Sequence, residues 1–403
     1  MACPVIPDSS VGEAVSEQPH LFPVPWIHVA SAPPSDMDLD ALRDDIPVLE
    51  EIAYLNTGAS SPAPRSVVEA TTDWIEYHNF EAPIDEGIYP HAWDSYEAAR
   101  ETIAPFLGVS PETIALTSST VHGINLIVSS IEWQPGDVVV RTDLEHPAGV
   151  LPFDRMADLH GIEVRTLETT DGRIDRDELA TAVEDARLLA MSSLTWSHGT
   201  RLPVEEAVDI AHDAGARVLI DAVQSPGQRP VDFEAWDADF VAGSGHKWLL
   251  GPWGAGFLYV APEAIDALTP QQIGYRSVEE SGATSYEYKT GAPRFELGTA
   301  SPAPHVGLAA AIDLLESIGM ETVQTRIERL TDRLKAGLGE RLISPREYES
   351  GLVTFAADDP EATVERLADA GVVVRSLPYP EAVRASIHGF NTAEDVDRLL
   401  EAL

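Results

Sequence analysis

Between residues 113 and 221 short apolar runs alternate with stretches of helical period. The runs at 113–117, 137–141, 163–167, 187–195 and 217–220 read as strands. Between them the spacing predicts helices over 120–131, 149–160, 175–183 and 204–213. The strands are apolar throughout rather than alternating, as expected where helices cover both faces of a parallel sheet. The strand–helix order predicts a doubly wound α/β architecture.

Upstream, a short helix is expected over 39–46, then a strand at 53–56 turning at Thr57-Gly58-Ala59. Pro62 and Pro64 precede a helix over 66–79. Residues 81–91, broken by Pro and Gly, read as a loop, and a helix over 93–107 ends at Gly108. Beyond Val260 the alternation fades. Helices are expected over 262–268 and within 305–338, then strands at 352–355, 372–375 and 383–387 with helices at 361–370 and 392–403. The domain reading is an extension over 1–35, a segment over 36–64 packed near the small domain, a large domain over 65–304 and a small α+β domain over 305–403.

One stretch stands out. Phe240-Val241-Ala242 runs into Gly243-Ser244-Gly245-His246-Lys247-Trp248, bends through Gly251, Pro252 and Gly254, and resumes at Phe257. Two strands would present Lys247 at a sheet rim. The chain has only three lysines, at 247, 289 and 335. An amine, unlike a guanidinium, can lose its proton and form a Schiff base. The plainer alternative is a partly buried lysine at a strand end.

The chain has 403 residues, 44% of them hydrophobic, enough for a large core. Its formal net charge of −41 argues against nucleic acid as a partner, because phosphate backbones recruit Lys and Arg. The acidity is spread along the chain and resembles the solvated surface of proteins from a high-salt cytoplasm. Cys3 is the only cysteine, which excludes an intramolecular disulfide and a Cys-rich metal site. The apolar runs are too short to span a bilayer, and no secretory signal is evident, so a soluble cytoplasmic protein is expected.

In open α/β sheets ligands bind beyond the carboxyl ends of the strands. Four polar clusters fall there. Ser118-Ser119-Thr120 opens a helix and suits either a phosphate or plain N-capping. His146, in Glu145-His146-Pro147, could lie against a flat ring or simply occupy a loop. Asp221, with Gln224 three residues on, ends an apolar strand; a protonated pyridine nitrogen, a turn or an arginine could partner it. Arg384 could clamp a substrate carboxylate or form a structural ion pair. The phosphate cradle, the imidazole and the carboxylate, with Ser244-Gly245-His246-Lys247, are together the parts needed to hold pyridoxal phosphate.

In that order the motifs resemble the class V aminotransferase family of fold-type I pyridoxal-phosphate enzymes, within the group of cysteine desulfurases, selenocysteine lyases and isopenicillin-N epimerase-like proteins. The resemblance implies a large domain with a mostly parallel, helix-covered sheet and a small C-terminal α+β domain. It implies Lys247 as the Schiff-base residue, Asp221 and Gln224 at the pyridine ring and His146 stacked on it. It places Thr120, Ser244 and His246 at the phosphate and Arg384 at the substrate carboxylate. Thr299, in Phe295-Glu296-Leu297-Gly298-Thr299, would reach the cofactor phosphate of a second copy in a homodimer. No metal is implied. Desulfurases carry a nucleophilic cysteine shortly after the position of Arg375. Here that segment reads Arg375-Ser376-Leu377-Pro378-Tyr379-Pro380, without a thiol. The expected function is a dimeric enzyme acting on an amino acid or amine, a transaminase first. A cysteine or selenocysteine lyase, a desulfurase-like enzyme or an epimerase is the alternative, and a non-catalytic cofactor-binding protein comes last.

Overall fold

A computed structural model describes residues 38–282 and 285–403. The expected extension over 1–35, with Cys3, lies outside the described residues. In chain order the elements are α1 (Leu39–Asp44), β1 (Ala53–Tyr54), α2 (Arg65–Phe80) and α3 (Ile88–Phe106). The central alternation follows: β2 (Ile114–Thr117), α4 (Thr120–Ser130), β3 (Val138–Thr142), α5 (Pro147–His160), β4 (Glu163–Leu167), α6 (Arg176–Ala182), β5 (Ala186–Ser192), α7 (Val204–Asp213), β6 (Arg217–Asp221), β7 (Phe240–Ser244) and β8 (Gly256–Val260). The chain closes with α8 (Ala303–Ile318), α9 (Met320–Leu338), β9 (Leu352–Phe355), α10 (Pro360–Asp369), β10 (Val372–Val373), β11 (Arg375–Pro378), β12 (Glu381–Ser386) and α11 (Ala393–Ala402).

The central sheet has seven strands in the order β2-β8-β7-β6-β5-β3-β4. β3 to β7 pair in parallel, and β8 runs antiparallel to both its neighbours. The carboxyl ends of β2, β3, β5, β6 and β7 therefore share one edge, where the polar clusters gather. β6, β7 and β8 are buried along nearly their whole length, which accounts for their unbroken apolar runs. One hydrophobic core surrounds this sheet and takes in α8 and the start of α9.

A second core joins Leu330, Leu334 and Leu338 of α9 to β9, β12, α10 and α11. It also takes Ala53 and Leu55, because β1 pairs in parallel with β10 and Asn56 bridges to Ser386. That pairing carries the turn at residues 56–58 to the end of β12, beside Arg384.

Several expectations need correction. The helix expected over 93–107 begins at Ile88, inside the expected loop. Pro90 is compatible with a helix there, because it sits in the first turn, where an N–H has no partner to lose. Gly319, at φ 87°, divides residues 305–338 into two helices. The helix expected over 262–268 is a 3-10 turn. The strand at 372–375 is two strands in different sheets, one beside β1 and one beside β12.

Candidate active site

Lys247 sits in the tight return between β7 and β8. Gly245 donates its N–H to the Ala255 carbonyl at 2.9 Å, and Gly251 donates to that of Gly245 at 2.9 Å. The next residue anchors the turn. Trp248 is fully buried, its indole N–H donates to Gln224 Oε1 at 2.7 Å, and its carbonyl lies 2.9 Å from His388 Nε2. Gly227, at φ 94°, lets the backbone after Asp221 touch the Trp248 carbonyl, where any Cβ would collide. The Lys247 side chain is half-buried. Burial lowers the amine to about 8; Asp221 opposes the shift, and Arg384 and Arg375 add to it.

Asp221 is buried at the end of β6 and accepts from the Val223 N–H at 2.9 Å. Burial raises its pKa, against the Val223 hydrogen bond and the charge of Lys247. A buried carboxylate with a single hydrogen bond suits a cationic partner. Gln224 spends its carbonyl on Trp248 and donates one amide N–H to the Gly58 carbonyl at 3.0 Å, leaving its second N–H free. Its first duty here is to tie the lysine turn to the 56–58 turn.

Sequence reading assigned no role to Glu145, which is buried behind this group. It accepts from Thr142 Oγ1 at 2.6 Å, the Ser192 N–H at 3.1 Å and Ser192 Oγ at 2.7 Å. Burial raises its carboxyl to about 7, the hydrogen bonds from Ser192 and Thr142 oppose this, and Asp221 adds to it. Glu145 lies in the loop three residues past β3, and its partner Ser192 is 47 residues away, so no local signal marked it.

At the first turn of α4, Thr120 meets Ser244. The Thr120 N–H donates to Ser244 Oγ at 2.6 Å, and the two hydroxyls are 2.8 Å apart. Ser119 caps the helix by accepting from the His122 N–H at 3.2 Å. Two hydroxyls and a helix N-terminus thus converge at the place expected for a phosphate. The ring of His246 lies 4.9 Å from that of Trp253, and burial, with Lys247, lowers its pKa to about 4.

His146 is the N-cap of α5, and its Nδ1 accepts from the Ala148 N–H at 3.2 Å. That bond leaves the proton on Nε2. Burial, then Lys247, Arg375 and Arg384, lower the ring to about 4, so it is neutral near pH 7. Trp196 stands edge-on to it at 5.4 Å.

Arg384 is the decisive group. It is buried on β12, and among the described residues its only hydrogen bond runs from Nη1 to the Trp196 carbonyl at 2.7 Å. Among the described residues its Nε and Nη2 are enclosed without partners, as are Ser386 Oγ, Thr57 Oγ1 and Asn56 Oδ1 nearby in the same strand and turn. A Cβ on Gly58 would stand 3.1 Å from Arg384 Nη2 and 2.8 Å from Ser386 Oγ. Burial lowers the guanidinium to about 9, and Arg375, directly opposite across β11–β12, adds to the shift. A buried fork with two unspent donor atoms fits a carboxylate bound by two parallel bonds.

The structure thus gathers Lys247, Asp221, His146, Thr120 and Ser244 along one edge of the central sheet, with Gln224 and His246 in the same turns, and Arg384 of the small sheet meets the loop after β5 at the Trp196 carbonyl. Thr299 stands apart. It is exposed at φ 56°, and its hydroxyl lies 2.6 Å from that of Tyr275.

Known proteins resemble this chain in sequence and fold. The model of the family described as aminotransferase class-V matches residues 53–399. The chain belongs to the class V aminotransferase family. Within it, a cysteine desulfurase of Haloferax volcanii is 33% identical over 91% of this chain and 96% of its own. An apo cysteine desulfurase of Thermococcus onnurineus NA1 superposes with a TM-score of 0.84 at 30% identity, covering 91% of this chain and 97% of that one. The cystine C–S lyase C-DES is 27% identical and has been solved in two states. Bound to its product cysteine persulfide, it gives a TM-score of 0.84 over 88% of this chain and 98% of its own. A C-DES mutant with glycine covalently linked to its pyridoxal-phosphate cofactor gives 0.85 over 89% and 98%. The class V fold, a mostly parallel sheet with a smaller unit beside it, is the one described above. No helix among the described residues is long and apolar enough to cross a membrane.

Proposed function

We propose that this class V enzyme binds pyridoxal phosphate and cleaves the C–S bond of a cysteine-type amino acid by elimination, without a protein thiol in the 375–380 segment. The relatives are desulfurases and a C–S lyase, which supports the sulfur-amino-acid alternative over transamination, the first expectation from the sequence. The observation that carries the elimination reading is β11 itself. Its residues and the turn into β12 hold Arg, Ser, Leu, Pro, Tyr and Pro and no sulfur nucleophile.

The site fits the cofactor on three counts observed above: a half-buried amine with a lowered pKa, a buried carboxylate with one hydrogen bond, and two hydroxyls at a helix N-terminus. Lys247 would hold the aldehyde carbon covalently, Asp221 the ring nitrogen, and Thr120 and Ser244 the phosphate, with the neutral His146 against the ring. Bound there, pyridoxal phosphate supplies a sink for the electron pair left when the α-proton departs. Arg384 holds the substrate carboxylate and so fixes which α-bond faces Lys247. With its pKa lowered to about 8, the Lys247 amine can take the α-proton and pass it to the departing sulfur. The Cα–H and Cβ–S bonds break, the sulfur leaves as a thiol, and water converts the remainder to pyruvate and ammonia.

The products test this. Holoenzyme given L-cysteine is expected to release pyruvate, ammonia and sulfide in equal amounts, with no keto acid required. Alanine with enzyme-bound sulfane sulfur, or amino transfer to added pyruvate, would count against elimination.

We also propose a homodimer in which Thr299 reaches the partner's cofactor phosphate. Phe80, Ile84, Trp253 and Tyr275 are exposed apolar side chains, and a second copy would cover such a surface. Sedimentation at twice the chain mass of 43.5 kDa is expected. A fully active monomer would rule the dimer out.

A further inference from the structure

We propose a second ligand site, an oxyanion pocket at the start of α7 that takes a small molecule bearing a phosphate or carboxylate group. A cavity of about 360 Å³ opens there, lined by Arg173, Arg201 and Arg229 together with Ser193, Pro203 and Trp236. That volume lies within the ~300–1,000 Å³ range of small-molecule sites. In a chain with 26 basic and 67 acidic residues, three arginines at one cavity need a reason.

Their pairing supplies it. Arg173 is bound to Glu349 and Arg176 to the lining residue Glu206, so those charges cancel. No ion pair among the described residues engages Arg201 or Arg229. Arg229 is the deeper of the two, and among the described residues its Nε is enclosed without a hydrogen-bond partner. Arg100 shows how this protein treats a structural buried arginine: its fork reaches Glu296 at 2.7 Å and Glu97 at 3.1 Å. Arg229 has no such arrangement among the described residues. Glu205 on the rim offsets one charge, which leaves the pocket one positive charge in excess. α7 adds donors, because its N-cap is Pro203 and no side chain caps its first turn. Burial lowers Arg229 to about 10, and Arg201 adds to the shift, so a bound anion would relieve a standing cost.

The pocket lies outside the catalytic group but shares a wall with it. The Ser193 N–H donates to the Asp221 carbonyl at 2.9 Å. Arg201 bridges to Leu194, closing the loop whose Trp196 carbonyl holds Arg384. Occupancy is therefore placed to reach the substrate arginine, and the site itself does not depend on the cofactor reading.

The test titrates cofactor-loaded, borohydride-reduced enzyme, so that the cofactor's own phosphate position is filled. Inorganic phosphate and succinate are added separately, against sodium chloride at matched ionic strength, and heat is recorded. Saturable binding of one anion per chain is expected, weakened ~10-fold or more in Arg229→Gln and in Arg201→Gln. Binding of phosphate alone assigns a phosphate ester, and binding of succinate alone a carboxylate. Arg201 is exposed, so its variant decides the matter should Arg229→Gln fail to fold. No saturable binding of either anion, or unchanged binding in Arg201→Gln, overturns the proposal.

Discussion

Lys247→Ala is expected to lower turnover by about 10²–10⁴-fold from lost proton transfer alone. The loss should appear in kcat, because Arg384, which holds the substrate, is untouched. The same amine sets a pH dependence. Burial lowers Lys247, so the free amine grows as pH rises through about 8, and covalent capture of added cofactor should quicken over that interval. His146 and His246, both lowered to about 4, stay neutral there and add no second limb. Stopped-flow absorbance of apo-enzyme mixed with pyridoxal phosphate checks this. A rate that is flat between pH 7 and 9 contradicts the assignment.

Arg384→Gln is expected to raise KM for a cysteine-type substrate by about 10²-fold or more, since charged hydrogen bonds contribute ~1.5–3 kcal/mol each. Cysteamine, which lacks the carboxylate, should be handled alike by both enzymes. Stability gives an independent sign. The guanidinium is buried with two unspent donors, so in the absence of ligand it is a cost. The ligand-free variant should therefore melt no earlier than the parent. A variant that melts much earlier and loses both substrates equally would mark Arg384 as structural.

The sheet was largely legible, because strands buried on both faces must be apolar throughout, as β6 and β7 are. The direction of β8 was not. An apolar run reads the same either way, and only its pairing with β2 and β7 shows it antiparallel. Pro90 was misread as a break because its place in a first turn depends on where the helix starts. Among site residues, Lys247 and Asp221 could be picked out because an amine and a carboxylate at the ends of apolar strands are out of place. Ser244 and Thr120 could be named, but their contact spans 124 residues of chain and no local pattern encodes it. Arg384 left both readings open until its unspent donors were seen. Glu145 looked like any loop carboxylate until Thr142 and Ser192 closed around it.

The account's central claim is the covalent duty of one amine. Loading the chain with pyridoxal phosphate, reducing with borohydride and digesting should place a pyridoxyl mass on the peptide carrying Lys247 and on neither peptide carrying Lys289 or Lys335. An unmodified Lys247 peptide from a protein that still shows the cofactor's absorbance would contradict it.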